Sequence, residues 1–208
     1  GREKAPVVLG WIASSEAAAA TQGRALGLSG TQLDSYVQQH RYDQAIGLAV
    51  RELRDGSVTG NPDGSIANLV KSFEYHKRIA DAYGLDLVMY EGGTHVVGVG
   101  EWGNNRTLAD FFLALNQSDD MGQLYLELLR GWKNAGGTLF NAFVDVARHG
   151  IHGSWGALQH LDDHSERWDS LVEFNRNNPG WWENRGGSDF IGSGEAAPGA
   201  TDPVAPAP

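Results

Sequence analysis

Two short apolar segments constrain this chain most: LDLVMY at residues 85–90 and TLFNAFVDV at residues 138–146. Each follows a stretch of helical periodicity through a brief glycine turn, at Gly84 and at Gly136-Gly137, and each leads into a long loop. A strand this dense in apolar residues is one whose two faces are both covered, as in a parallel sheet. Strands alternating with helices predict an α/β fold with parallel strands. In such folds the loops leaving the C-terminal strand ends carry the chemistry. Here those loops, residues 91–105 and 147–164, hold histidines, tryptophans and carboxylates.

The rest of the chain is read in the same way. VVLGWIA, within residues 6–13, reads as a further buried strand ended by Ser14-Ser15. A long helix is expected over 31–53, stopped by Asp55-Gly56-Ser57, and residues 60–64 form a turn cluster. Ser65 is a candidate N-cap for a helix to about Tyr83, with Ile66, Leu69, Val70, Phe73 and Ala80 on one face. Further helices are expected over 107–115, from Ser118 through Trp132, and after Ser165. The strands fall short of a full (β/α)8 complement. The predicted fold is therefore a partial (β/α) TIM-type barrel, C-terminal strands and helices only, over residues 1–192. Residues 193–208, rich in Ala and Pro, are expected to form a disordered linker.

Composition excludes several function classes. A formal net charge of −10, with Lys77-Arg78 the nearest approach to a basic patch, argues against a nucleic-acid partner. No apolar run approaches the roughly 20 residues that cross a bilayer, so no membrane partner is expected. Gly1-Arg2-Glu3-Lys4 does not open a signal peptide, so an export signal lies upstream or there is none. Cysteine is absent, which removes disulfides and thiolate metal sites. No glycine-rich phosphate loop opens a helix, and no cofactor is implied. Tryptophan is in excess at seven residues, with Trp102, Trp155, Trp181 and Trp182 all in loop-like sequence. Sugar rings present flat C–H faces that stack on indoles, so these loops favour a carbohydrate ligand. The plainer role for any one of them is to clamp a loop.

Glu91 is the candidate for chemistry, because it directly follows the strand LDLVMY, where a barrel carboxylate points at the substrate. Its alternative is a loop cap or an arginine partner. His95, four residues on, is placed to bond a sugar hydroxyl or to orient Glu91. Asn141 has the strand parity to reach a sugar hydroxyl, unless it is a satisfied core amide. Asp145 and Glu101 are the carboxylates within reach of a second role, Asp145 being equally suited to pair with Arg148 or Arg167. His149 with His152, and His160 with His164, have ligand-competent spacing, but no HExxH pattern accompanies them and solvated loop histidines are the expectation. Asn61-Pro62-Asp63-Gly64 is too short for a calcium loop.

With Glu91 ending one strand and Trp155 following the next, the block from Leu85 to Arg185 resembles the last quarter of a retaining glycoside hydrolase. The group is the large barrel clan whose nucleophile ends strand seven. The motifs YEGGTH, LFNAF and GSWG resemble bacterial proteins that join such a barrel to further modules. The resemblance implies that Glu91 is the nucleophile, with Trp155 as sugar platform and His95, Trp102 and Asn141 as substrate contacts. It also implies that the acid/base belongs to a missing N-terminal half. The expected ligand is a poly- or oligosaccharide, met outside the cell or at its surface. The alternative is a non-catalytic carbohydrate-binding or structural module of a larger secreted protein.

Overall fold

The computed structural model describes residues 3–182. Seven helices dominate them: α1 (Ala5–Ala25), α2 (Gly30–His40), α3 (Asp43–Asp55), α4 (Ile66–Ala82), α5 (Arg106–Asn116), α6 (Asp119–Asn134) and α7 (Glu166–Asn177). Two short strands, β1 (Met89–Gly92) and β2 (Phe140–Ala142), form the one small sheet among the described residues. The chain is therefore not a partial (β/α) barrel, and that expectation is corrected. The expected tail over 193–208 lies outside the described residues.

The correction begins at VVLGWIA, which lies in α1. Val8, Ile12, Ser15 and Ala19 are buried at alternating spacings of four and three, one face of a helix. The alanines after Glu16 extend it, and Pro6 sits in the first turn, where a missing N–H costs nothing. An apolar run this short fits either a buried strand or a buried helical turn, and the continuation decides.

The single helix expected over 31–53 is two. Ser15 of α1 explains the break: its Oγ accepts from Gln44 N at 3.1 Å and Ala45 N at 3.3 Å, satisfying first-turn donors of α3. Just before that turn, the Tyr42 ring meets Phe111 of α5 edge-on at 5.4 Å.

Helix α6 is the central element. Its buried residues cover more than one face: Met121, Leu124 and Tyr125 join the core with α1, α3 and α5, while Leu126 and Leu129 meet Phe174 of α7. Trp132 stacks edge-on against Phe73 of α4 at 5.1 Å. Its Nε1 donates to Thr138 O at 3.0 Å, which fixes the approach of the chain to β2.

The two strands are parallel, Met89 opposite Phe140 and Gly92 opposite Ala142, with an irregularity between. One sheet face is covered, since Leu87, Met89 and Phe140 pack against the Phe73–Trp132 cluster. The other is bare. Val88, Tyr90, Leu139 and Phe143 are 56%, 84%, 48% and 47% exposed, which departs from the double cover of ordinary parallel sheets.

Candidate functional site

Past the ends of β1 and β2 the chain forms two loops that meet. After β2 it doubles back so that residues 144–147 run beside 155–158. Val144 N donates to Trp155 O at 3.1 Å, Ala157 N to Val144 O at 2.8 Å and Leu158 N to Asp145 O at 2.9 Å. The pairing is so close that a Cβ on Gly156 would lie 2.3 Å from Ala147 N and O and from Leu158 O. Only glycine fits there, which is the physical content of the GSWG motif. The Phe143–Val144 peptide is cis.

Trp155 is held from beneath by Arg167 of α7, a guanidinium only 1% exposed. Arg167 Nη1 donates to Ser154 O at 2.8 Å, and Nη2 donates to Gly156 O, so the two carbonyls flanking Trp155 are both gripped. His149 Nε2 lies 2.8 Å from the same Gly156 O and 3.1 Å from Arg167 Nη2. Burial pushes the His149 pKa down. The Gly156 carbonyl opposes that shift and the Arg167 charge adds to it, leaving the ring below the usual histidine value.

The first loop is anchored by Tyr125 of α6, whose hydroxyl accepts from Thr94 N at 3.0 Å. Gly93, at φ 143°, allows this approach, since a Cβ would lie 2.9 Å from that hydroxyl. The Arg167 guanidinium lies 5.8 Å from the Tyr125 ring centroid. Tyr125 and Arg167 thus hold both loops on the rigid α6–α7 pair.

Between the loops lies an aromatic cluster. His95 and Trp155 meet at 5.1 Å between centroids and Phe143 and Trp155 at 6.3 Å, both edge-on. Glu91, His95 and Phe143 are exposed and Trp155 is part-buried. Phe143 N donates to Gly92 O at 2.9 Å, and Asn141 Nδ2 donates to Tyr90 O at 2.8 Å, so these bonds tie the backbone on both sides of Glu91 to the second strand. Asn141 keeps its Oδ1 free for a ligand. No hydrogen bond or ion pair engages the Glu91 carboxylate among the described residues.

Four of the five expected site residues, Glu91, His95, Asn141 and Trp155, therefore gather at one end of the sheet. Trp102 does not. It ends a 3-10 turn (Gly100–Trp102) and packs part-buried on the helical core. Asp145 does not receive Arg167, which serves the Trp155 backbone instead. His164, Glu166 and Asp169 bring ligand atoms within 4.8 Å of one another, with His164 Nε2 2.9 Å from Asp169 Oδ2. They surround the N-terminus of α7, where the helix dipole opposes a cation. Phe143, Tyr125 and the Arg167–His149 clamp were missed. Phe143 shares strand parity with Asn141, which was the available signal; the clamp leaves none, because its acceptors are backbone carbonyls.

Comparison with protein-family models, curated proteins and solved structures finds no match for the chain. Fold and site together define a small, mainly helical domain with a two-stranded parallel sheet, an aromatic cluster in the loops beyond it and an unpaired carboxylate, Glu91, in its first strand.

Proposed function

We propose that the chain is a carbohydrate-binding module whose site is Trp155, Phe143, His95, Asn141 and Glu91. The observation that carries this is the Trp155-centred ring cluster, held on a preformed loop beside an unpaired carboxylate and a free amide oxygen. Aromatic edges and faces bind the C–H surface of a pyranose, and convergent polar groups fix its hydroxyls. Glu91 and Asn141 Oδ1 accept from sugar hydroxyls, and His95 borders the ring. Polysaccharides of this kind are met outside the cell or at its surface, where this reading puts the protein.

Affinity electrophoresis through a panel of polysaccharides tests it. The parent is retarded by at least one of them, and Trp155→Ala and Phe143→Ala lose the retardation with unchanged circular dichroism. Free migration of the parent through every gel would sink the proposal.

Retaining hydrolysis is the second reading, favoured by the free Glu91 carboxylate. It requires a second carboxyl about 5–5.5 Å from the first. Release of reducing sugar by the protein, abolished in Glu91→Gln, would select it over binding alone.

A further inference from the structure

We propose that the ligand of this site is an uncharged glycoside with an apolar aglycone, its sugar against Trp155 and its chain in an adjoining cavity. The inference rests on the carbohydrate reading and names the ligand class. A cavity of about 550 Å³ lies among α1, α3, α5, α6 and the loop after β1, within the range of sites that take small organic ligands. Its walls are apolar, with Val8 and Trp11 from α1, Phe111 and Phe112 from α5, and Leu124 and Leu128 from α6.

The cavity and the aromatic cluster share a residue. His95 lines the cavity and also meets the Trp155 ring. Thr94 lines the same end, and its Oγ1 is buried without a hydrogen-bond partner among the described residues. One molecule is therefore able to reach from the cluster, past His95 and Thr94, into the helical core.

Charge selects the chain. Glu52 and Lys4 also line the cavity but neutralise each other, at 2.6 Å from Lys4 Nζ to Glu52 Oε1. Burial raises the Glu52 pKa, and the bonds from Lys4 and Thr59 more than reverse this, so the carboxylate stays charged and paired. Among the described residues no unpaired Lys or Arg lines the cavity to hold a fatty acid. The one further lining carboxylate, Asp63, is exposed, where water and salt screen it from an alkyl amine in the apolar interior. An uncharged tail suits the walls, and a sugar is the uncharged head that the neighbouring cluster suits.

The test is calorimetric and NMR titration of the parent protein with methyl, hexyl and octyl β-D-glucopyranosides and the matching galactosides. All are kept below their micellar concentrations, with 1-octanol as the headless control. Each buried methylene is expected to tighten binding about fourfold, and so octyl over hexyl by about 15-fold. The amide and indole shifts should appear at both Trp155 and Trp11. Ala49→Phe, which fills the cavity wall, should remove the chain-length dependence and leave the methyl glycoside affinity unchanged. Should that variant not fold, the shift map of the parent decides alone. Equal affinities for methyl and octyl glycosides would overturn the inference and leave the carbohydrate reading standing. Binding of 1-octanol without any glycoside would overturn both, and binding of none of the probes would overturn the inference.

Discussion

Replacing Arg167 by Met is expected to destabilise the domain by about 2 kcal/mol, because the two carbonyls that frame Trp155 lose their donor. Methionine keeps much of the apolar stem, so what disappears is the guanidinium. Gly156 O retains His149 at 2.8 Å, but Ser154 O has Arg167 as its donor at 2.8 Å and is left without one. A buried carbonyl without a partner costs about 1–3 kcal/mol, and bonds from a charged donor are worth about 1.5–3 kcal/mol each. Against this stands the cost of burying the charge. Among the described residues no carboxylate pairs with Arg167, and desolvating an ion costs several kcal/mol. The face of Tyr125 at 5.8 Å recovers part of that. Two bonds from a charged donor less the residual desolvation leave roughly 2 kcal/mol in favour of arginine. In a domain of this size that lowers Tm by about 4–8 °C. Urea denaturation followed by tryptophan fluorescence reads it as a lower midpoint at constant slope. A Met variant as stable as the parent, or more so, would show that desolvation wins and that the clamp argument is wrong.

Three further outcomes follow from the same geometry. Gly156→Ala drives a Cβ to 2.3 Å from backbone atoms of Ala147 and Leu158; loss of about 3 kcal/mol or more is expected in the same assay, together with loss of glycan retardation. Ser65→Ala removes the cap that Oγ makes to Asn68 N at 3.2 Å and should cost about 1 kcal/mol, with glycan retardation unchanged. The last concerns acid. His149 is held below the ordinary histidine pKa by burial first, so below about pH 6.5 the unfolded chain binds more protons than the folded one. This contribution to stability is full above about pH 7 and falls as pH drops through about 6.5 toward the lowered folded value. Urea midpoints at pH 7.5 and 5.5 should differ less in His149→Gln than in the parent; an equal difference in both would dismiss His149 as the cause.

Helix positions were legible wherever a cap and a stripe coincided. Ser65 and Ser165 accept from Asn68 N and Trp168 N as their sequence neighbourhoods suggested, and the helix expected from Ser118 through Trp132 is α6, with Met121 to Trp132 supplying its buried residues. Residues 6–13 were not legible, because Val7-Val8-Leu9 has no period of its own and the deciding burial lies further on, at Ser15 and Ala19. Nor was the break between α2 and α3, since its cause is the hydroxyl of Ser15, 29 residues before the amide it caps at Gln44. The site divides along the same line. The placement of Glu91, His95, Asn141 and Trp155 was legible because strand ends and the loops after them gather polar and aromatic residues. Trp102 packs on the helical core and lines the cavity beside His95, a placement that a tryptophan among glycines does not reveal.

Why the strands suggested a barrel also explains how the site is built. LDLVMY and TLFNAFVDV carry apolar residues at both parities, and a parallel strand with that pattern is normally covered on both faces. In this chain Leu87, Met89 and Phe140 use one parity against Phe73 and Trp132, while Val88, Tyr90, Leu139 and Phe143 carry the other into the open. The pattern was read correctly as two apolar faces and wrongly as two buried ones. A bare apolar face is costly to keep unless something covers it, and part of it, at Phe143, is also where the Trp155 ring packs. Stability alone would favour polar residues at Val88 and Tyr90, with the covered face unchanged. The open apolar face beside a glycine-rich, clamped loop is the surface that the proposed binding role assigns to a ligand.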